Sequence, residues 1–320
     1  MALQNAPGWR LPAGQALDAV SACMDKALTA SDGLFDASFA HLRRAKGKML
    51  RARLGICTGT GGDGRVPASL PARLAAVELL HLATLIHDDI LDRADTRRGQ
   101  PSLPAAFGEK TAVLAGDFLL TRCFSLCLPA DKGEDAAFYL SLLSKAMAGL
   151  CRGEMRQQKN RRNLELTVRE YLKIISGKTG ALFALSAMTG AAAAGYPPEQ
   201  RRLFAEFGYR MGMLFQMRDD LLDLRATAQT TGKDTGCDLA GGVITLPAIL
   251  AFKADPSLRE TVRQGRIEEA LETIRRQPAD NPVAGLYRKR ADRCLQRLQP
   301  PARQELKRLL SLADPAGLPS

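Results

Sequence analysis

The residues with the clearest chemical potential are aspartates that recur at a fixed spacing. Asp88 and Asp92 stand one helical turn apart in a stretch whose apolar residues recur at helical intervals. The spacing therefore places both carboxylates on one face of a helix. Two carboxylates held this close to an apolar core repel each other unless a cation compensates them. Mg2+, a hard cation that prefers oxygen ligands, fits that need.

A second stretch, 131 residues further along the chain, repeats the pattern with Asp219 and Asp223. Just after the first stretch, Arg97 and Arg98 provide the fixed charge and planar fork that suit phosphate. A single copy could be an acidic helix end that faces solvent. Two copies in strongly apolar helices instead favour a site for a metal-bound diphosphate.

The two stretches resemble a known pair of motifs. Asp88-Asp89-Ile90-Leu91-Asp92, followed by Arg97-Arg98-Gly99, and Asp219-Asp220-Leu221-Leu222-Asp223 are similar to the aspartate-rich motifs of the trans-isoprenyl diphosphate synthases, the polyprenyl synthetase family. The likeness extends over most of the chain, from about residue 40 to about 250. It implies an all-α, single-domain antiparallel helical bundle around a central cavity. We expect one domain over 1–320, with a less typical helical cap at about 255–320.

The resemblance also implies a reaction and its participants. Isopentenyl diphosphate is expected to condense head to tail with an allylic diphosphate, with about three Mg2+ ions in each active site. The implied metal ligands are Asp88, Asp92 and Asp219. The other implied catalytic residues are Lys178, Thr179 and Gln216. The implied substrate-binding residues are Lys48, Arg51, His81, Arg97, Arg98 and Lys233.

Some of these residues are weak signals on their own. Lys48 and Arg51 are three positions apart, which predicts a basic clamp on one helical face, although surface charge would be the default interpretation. The alternative interpretation of His81 is a core histidine with a satisfied hydrogen bond. The family usually has proline where this chain has Ala52, and lysine where it has Val243. The first departure could alter local geometry, and the second removes one diphosphate contact.

Small residues before the first motif indicate a long product. Ala83 and Thr84 lie five and four positions before Asp88. In the family, a bulky aromatic residue at these places stops short products, so we expect a product longer than twenty carbons. Replacing Ala83 by Phe or Tyr should shorten it.

Apolar periodicity predicts helices along the rest of the chain. Gly177 and Gly180 predict a break within one apolar segment. His87 is expected to pack or to support the carboxylates, and Asp117 to be buried and paired. The predicted helices are 14–30, one opened by Pro71, 111–128, 134–158, 171–195, one opened by Pro197, 257–276, 282–298 and 301–313.

Composition agrees with an all-α enzyme. The chain is 46% hydrophobic but only 5% aromatic, which favours helices over sheets. The net charge of +11 could serve an anionic substrate, a membrane surface or nucleic acid. Scattered charges with little aromatic interleaving argue against nucleic acid, and a solvated basic face is favoured over peripheral membrane contact. Seven cysteines without a Cys-x-x-Cys pair indicate reduced thiols in a cytoplasm, and we find no evident signal peptide or membrane span.

Two alternatives stay open at this point. A class I terpene cyclase also combines an all-helical fold with aspartate motifs, but it needs no second diphosphate clamp. A regulatory subunit of a heteromeric prenyl synthase can dispense with metal carboxylates, which this chain keeps. The resemblance implies a homodimer, with the helix at 14–30 packing against a partner subunit.

Overall fold

The computed structural model describes residues 9–29, 33–44, 47–97, 99–128, 135–225, 237–276, 281–298 and 300–317. The predicted all-α fold is confirmed, since these residues lie mainly in helices. The helices are α1 Ala13–Thr29, α2 Asp36–Arg44, α3 Leu50–Gly59, α4 Leu70–Leu91, α5 Leu103–Phe107, α6 Glu109–Cys127, α7 Asp135–Lys159, α8 Val168–Ile175, α9 Ala181–Ala193, α10 Pro198–Arg225, α11 Cys237–Ala240, α12 Leu246–Ala254, α13 Leu258–Arg263, α14 Ile267–Arg275, α15 Pro282–Arg297 and α16 Arg303–Ala313. A π-helical turn, Ser176–Gly180, joins α8 to α9, and a 3-10 turn follows at Pro315–Gly317.

The strands among the described residues form two short antiparallel pairs, of which the second is a hairpin. β1 (Trp9–Pro12) pairs with β2 (Arg65–Pro67), with Leu11 opposite Val66. β3 (Thr96–Arg97) pairs with β4 (Gln100–Pro101) just after the first aspartate motif. The second pair of strands therefore holds Arg97 at a fixed position beyond the end of the helix that carries Asp88.

The chain forms two compact units. Unit 1 comprises Met1–Met147, Leu182–Gly208 and Leu298–Leu306, and unit 2 comprises Ala148–Ala181, Tyr209–Arg297 and Lys307–Ser320. The expected single domain over 1–320, with its helical cap, stays a prediction.

Unit 1 is built on α4, which packs against α1, α3 and α6. Proline at the second position of α4 suits a helix start, because its missing N–H would have no intrahelical partner there. Leucines and alanines then make up most of the buried face of the helix. The core shared with α1 and α3 contains Ala16, Val20, Ala52, Ile56, Val66, Leu70, Leu74 and Ala75.

Unit 2 brings the π turn against the end of α7 at glycine contacts. A Cβ on Gly177 would lie 2.5 Å from the carbonyl oxygen of Gly149, and one on Gly153 would lie 2.6 Å from the backbone nitrogen of Lys178. Only glycine permits this approach without displacing backbone. The predicted break near Gly177 and Gly180 is thus confirmed as a π turn, and it fixes the backbone that carries Lys178.

Helix boundaries mostly match the predictions, with two differences. The segment predicted as one helix over 257–276 is two helices, because Gly265 turns the chain with a φ of +77°. Lys48 and Arg51 do not share a helical face, so that prediction is wrong. Helix α3 begins only at Leu50, and Met49 adopts a left-handed φ of 48° just before it.

Candidate active site

The first aspartate motif lies at the C-terminal end of α4. The backbone N–H of Asp92 closes the helix by donating to the carbonyl of Asp88, at 2.8 Å. Asp88 is partly buried and Asp92 is exposed, whereas Asp89 is only 3% exposed. The first and last aspartates of the motif are therefore more accessible to solvent than the middle one.

The middle aspartate is paired inside unit 1. Arg97 Nε donates to Asp89 Oδ1 at 2.6 Å, and Arg97 Nη2 lies 2.5 Å from the same oxygen. Burial raises the pKa of Asp89, and the Arg97 guanidinium opposes that rise. Sequence reasoning missed this role of Asp89. The signal was present, because Asp89 follows the fully buried Ile86 by three positions and so lies on its face of the helix.

His87 packs against α6 as expected, but Asp117 is not buried as expected. A Cβ on Gly116 would lie 2.2 Å from His87 Nε2, so the imidazole sits directly on α6. Asp117 Oδ1 is 3.6 Å from that nitrogen, yet the Asp117 side chain is 61% exposed. The expectation that Asp117 is buried is wrong, because it lies on the outer face of α6.

Among its described residues, unit 1 contains three that are predicted to bind isopentenyl diphosphate, of which only His81 lines a cavity. His81 lines a cavity of about 80 Å3 together with Gly47 and Met49, the neighbours of Lys48, and with apolar residues of α1 and α4. Lys48 itself is exposed. Arg51 is buried, with its guanidinium 4.9 Å from the centre of the Phe183 ring.

Ala52 has a structural partner that proline could not have. Its backbone N–H donates to Glu78 Oε1 at 2.8 Å, and Glu78 is only 7% exposed. This bond satisfies one of the N–H groups that the first turn of a helix leaves without an intrahelical acceptor. The departure from the family pattern at Ala52 therefore adds a hydrogen bond beside Arg51.

In unit 2, Lys178 is held by a carboxylate. Its Nζ lies 2.8 Å from Glu154 Oε2, and Gln158 Nε2 donates to the other Glu154 oxygen at 2.8 Å. The Lys178 side chain is 27% exposed. The anionic partner that a half-buried lysine requires is thus provided within the protein.

The second aspartate motif is anchored by its middle residue as well. Asp220 is 4% exposed and accepts from Gln216 Nε2 at 2.9 Å and from the Tyr171 hydroxyl at 2.6 Å. Thr179 Oγ1 donates to Gln216 Oε1 at 2.6 Å. Burial raises the pKa of Asp220 to about 6, against the lowering effect of these two donors. Sequence reasoning missed Asp220 and Tyr171.

The outer aspartates of the second motif are half-buried. Asp219 and Asp223 are partly exposed, and Asp223 Oδ2 accepts the backbone N–H of Asp238 at 3.3 Å. Burial raises the pKa of Asp223. Within the part of the chain that the structure describes, no three His, Cys, Asp or Glu side chains are close enough to form a complete metal site. The donor set still fits Mg2+, which keeps several waters and binds through one or two carboxylates plus substrate phosphate.

Other expectations concern the residues that set product length, two further cations and the departure at Val243. Ala83 is fully buried, and Thr84 is partly buried with its hydroxyl donating to the His81 carbonyl at 2.8 Å. Arg98 and Lys233 lie outside the described residues. Val243 is held by its backbone N–H, which donates to the Asp238 carbonyl at 2.7 Å.

The fold is all-α, and each aspartate motif buries its middle carboxylate while the outer ones stay at least partly exposed, an arrangement that fits helical enzymes acting on diphosphates with metal ions. Comparison with known proteins gives the family. The sequence profile described as polyprenyl synthetase matches residues 32–277.

Three individual proteins are similar over most of their length. A short chain isoprenyl diphosphate synthase of Methanocaldococcus jannaschii is 37% identical over 254 residues, which are 76% of this chain and 77% of that protein. Component 2 of the heptaprenyl diphosphate synthase of Bacillus subtilis is 31% identical over 270 residues, with 82% and 76% covered. The crystal structure of a polyprenyl synthase from Caulobacter crescentus, complexed with calcium and isoprenyl diphosphate, has a TM-score of 0.83 and 28% identity, and 94% of each chain is covered.

The chain belongs to the polyprenyl synthetase family. The predicted family, fold class and prenyltransferase class are therefore confirmed. Among the described residues, every helix is too short or too polar to cross a lipid bilayer.

Proposed function

We propose that this chain condenses isopentenyl diphosphate head to tail with an allylic diphosphate and releases a polyprenyl diphosphate. The observation that carries this proposal is the shared design of the two motifs. In each motif, the buried middle aspartate, Asp89 or Asp220, accepts a hydrogen bond from another side chain of the protein. The outer aspartates are left partly or fully exposed, as a metal-bound diphosphate would require.

Asp88, Asp92 and Asp219 are the proposed ligands of Mg2+, with about three ions in each active site. The bound metal would supply positive charge to the diphosphate that leaves the allylic carbon. The Caulobacter crescentus relative was crystallised with a divalent cation and an isoprenyl diphosphate, which supports this assignment.

The proposed cations act on the two diphosphates separately. Arg97, Lys178 and Lys233 add charge at the allylic diphosphate and stabilise it as the carbon–oxygen bond breaks. Lys48, Arg51, His81 and Arg98 hold isopentenyl diphosphate so that its double bond reaches the new cation. Loss of a proton from the coupled product then restores a double bond.

Lys178 must gain a second anionic partner in this scheme. Its ammonium group is paired with Glu154 at 2.8 Å and is about a quarter exposed. A diphosphate carries more negative charge than one carboxylate, so the ammonium can add a diphosphate contact while Glu154 keeps it in place. Glu154 thus prepares the position of Lys178 before substrate arrives.

The proposed product is longer than twenty carbons. Ala83 and Thr84 supply little bulk next to the first motif, and several relatives are named for long products, such as the heptaprenyl diphosphate synthase component of Bacillus subtilis. The Methanocaldococcus jannaschii relative is named for short products, so chain length needs its own measurement.

The test is turnover by the purified chain with isopentenyl and farnesyl diphosphates and Mg2+, followed by product chromatography. We expect products beyond twenty carbons, and a loss of about a hundredfold or more in kcat for Asp88→Asn. Asp18→Asn is the matched control, because it makes the same chemical change at an exposed position of α1. Products that stop at twenty carbons would refute the long-chain proposal.

Two further arms separate the alternatives. A terpene cyclase would consume the allylic diphosphate without isopentenyl diphosphate and yield a hydrocarbon or alcohol. A regulatory subunit would show no turnover alone and would need a second chain, as the word component in the Bacillus subtilis relative's name indicates for that protein. Either result would overturn the proposed activity of the isolated chain.

The remaining proposals concern partners and location. Exposed Val113, Leu114 and Phe124 on α6, with Leu128 just after its end, support a homodimer, which light scattering would reveal as twice the chain mass. The exposed face of α15 carries three arginines and one lysine in addition to Leu286, which is 47% exposed, and this supports peripheral contact with anionic membranes. Flotation with phosphatidylglycerol rather than phosphatidylcholine vesicles would test that contact. The cytoplasmic location and the absence of a nucleic-acid partner stay predictions.

A further inference from the structure

Four side chains of unit 2 form one continuous chain of hydrogen bonds. The Thr179 hydroxyl donates to the carbonyl oxygen of Gln216, and the Gln216 amide nitrogen donates to Asp220. The Tyr171 hydroxyl donates to the other Asp220 oxygen. The three bonds measure 2.6, 2.9 and 2.6 Å. This chain connects α8, the π turn and α10.

The order of donors and acceptors fixes the orientation of the Gln216 amide. A carboxylate accepts hydrogen bonds only, so the Gln216 NH2 group must face Asp220. The carbonyl oxygen then faces Thr179, whose hydroxyl donates to it. Both oxygens keep lone pairs after these bonds are made, so this end of the chain presents two negative dipole ends.

Tyr171 lies at the other end of this series of hydrogen bonds. Its side chain is 3% exposed, and burial raises its pKa well above the ordinary value, so the hydroxyl keeps its proton and donates. With Tyr171 and Gln216 bound to separate oxygens, the Asp220 carboxylate cannot rotate without losing a bond. Nothing else in the proposed mechanism uses Tyr171.

We propose that Tyr171 is a positioning residue, which through Asp220 holds the Gln216 amide so that Gln216 and Thr179 present oxygen lone pairs to the positive charge formed on the allylic substrate. This inference rests on the proposed function. Tyr171 itself touches neither substrate nor metal. Its contribution is to prevent the amide of Gln216 from turning its NH2 group toward that charge.

The first test is the substitution Tyr171→Phe, which removes only the hydroxyl. We expect kcat for condensation to fall about tenfold, in the range for residues that orient a catalytic group, while KM for isopentenyl diphosphate changes less than about twofold. The matched control is Tyr287→Phe. Tyr287 is a buried tyrosine of the same unit whose hydroxyl bonds with Tyr209, so its loss should affect stability but not kcat.

A double substitution separates positioning from general stability. In a Gln216→Ala background there is no amide to orient, so Tyr171→Phe should then change kcat by less than about twofold. An unchanged kcat in the single variant would overturn the proposal. An equal fall in both backgrounds would also overturn it.

A spectroscopic measurement keeps the test independent of turnover. The side-chain NH2 pair of Gln216, assigned by its disappearance in Gln216→Ala, should shift in the amide NMR spectrum of Tyr171→Phe and stay in place in Tyr287→Phe. An unshifted pair in Tyr171→Phe would refute the positioning role whether or not the enzyme is active. An inactive wild-type chain with a shifted pair would instead refute the proposed function and leave the positioning contact standing.

Discussion

Arg97 has two roles that one set of substitutions can separate. It is proposed to bind the allylic diphosphate, and it is the partner of the buried Asp89, with contacts of 2.6 and 2.5 Å to one carboxylate oxygen. Arg97→Met removes the charge and keeps much of the side-chain volume. We expect it to reduce both stability and activity, for different reasons.

The loss of stability follows from the exposure of the two partners. The Asp89 side chain is 4% exposed, so Arg97→Met leaves a buried carboxylate without its cation. Breaking a fully buried pair costs about 3–5 kcal/mol. The Arg97 side chain is 38% exposed, and solvent screening reduces the expected cost to about 2 kcal/mol. For a chain of 320 residues that corresponds to a fall of about 3 °C in Tm.

The second substitution removes the stranded charge. In Asp89→Asn/Arg97→Met the buried group is neutral, so we expect at least about half of the lost Tm to return. Activity should not return, because the diphosphate contact of Arg97 is still missing. Arg93→Met is the control, since Arg93 is exposed and lies just before the hairpin. The assays are thermal unfolding followed by circular dichroism and product formation measured at a temperature where all variants are folded.

Two results would refute this reasoning. If Arg97→Met melts within about 1 °C of wild type, the pair with Asp89 contributes nothing measurable. If Asp89→Asn restores activity along with stability, Arg97 acts through the fold and not through the diphosphate.

Three further substitutions follow from the structure. Ala52→Pro removes the N–H that donates to Glu78 at 2.8 Å, so we expect a loss of about 1–3 kcal/mol in denaturant unfolding, and an unchanged midpoint would show that the bond is unimportant. Thr84→Phe adds bulk at a partly buried position before the first motif and should shorten the product seen by chromatography, whereas an unchanged product length would place the limit elsewhere. Gly177→Ala puts a Cβ 2.5 Å from a backbone carbonyl of α7, so Tm should fall by several degrees and kcat with it. Gly285→Ala, which meets open space on α15, should leave kcat unchanged and should not lower Tm, because alanine favours a helix more than glycine does.

The helices were predictable because a buried helix face repeats apolar residues at a fixed interval. Leu79, Leu80, Ala83 and Ile86 illustrate this on α4, where all four are almost fully buried. The same periodicity identified the start of the helix at proline and the outward spacing of Asp88 and Asp92. The break near Gly177 was predictable because glycine interrupts an otherwise apolar segment.

The inward contacts were not predictable from local patterns alone. Tyr171 and Asp220 are 49 positions apart, and Lys178 and Glu154 are 24 apart, so no short motif joins them. The left-handed backbone at Met49 is also invisible in the sequence, because methionine rarely adopts that conformation. It separates Lys48 from the helix that carries Arg51.

The departure at Ala52 shows what the structure adds to a local change in sequence. From the sequence, the missing proline predicted only that the local geometry could be altered. The structure gives the alanine N–H an acceptor in Glu78, which lies 26 positions away on α4. The substitution therefore exchanges one way of fixing the start of α3 for another.

The most direct test of the proposed function is Mg2+-dependent binding of a non-reactive allylic diphosphate analogue, measured by titration calorimetry. Binding should need Mg2+, and Asp88→Asn and Asp219→Asn should each weaken it by more than about tenfold, while Asp18→Asn binds as wild type does. Equal affinity with Mg2+ removed by a chelator, or wild-type affinity in both motif variants, would contradict the assignment of these aspartates to the metal-bound diphosphate.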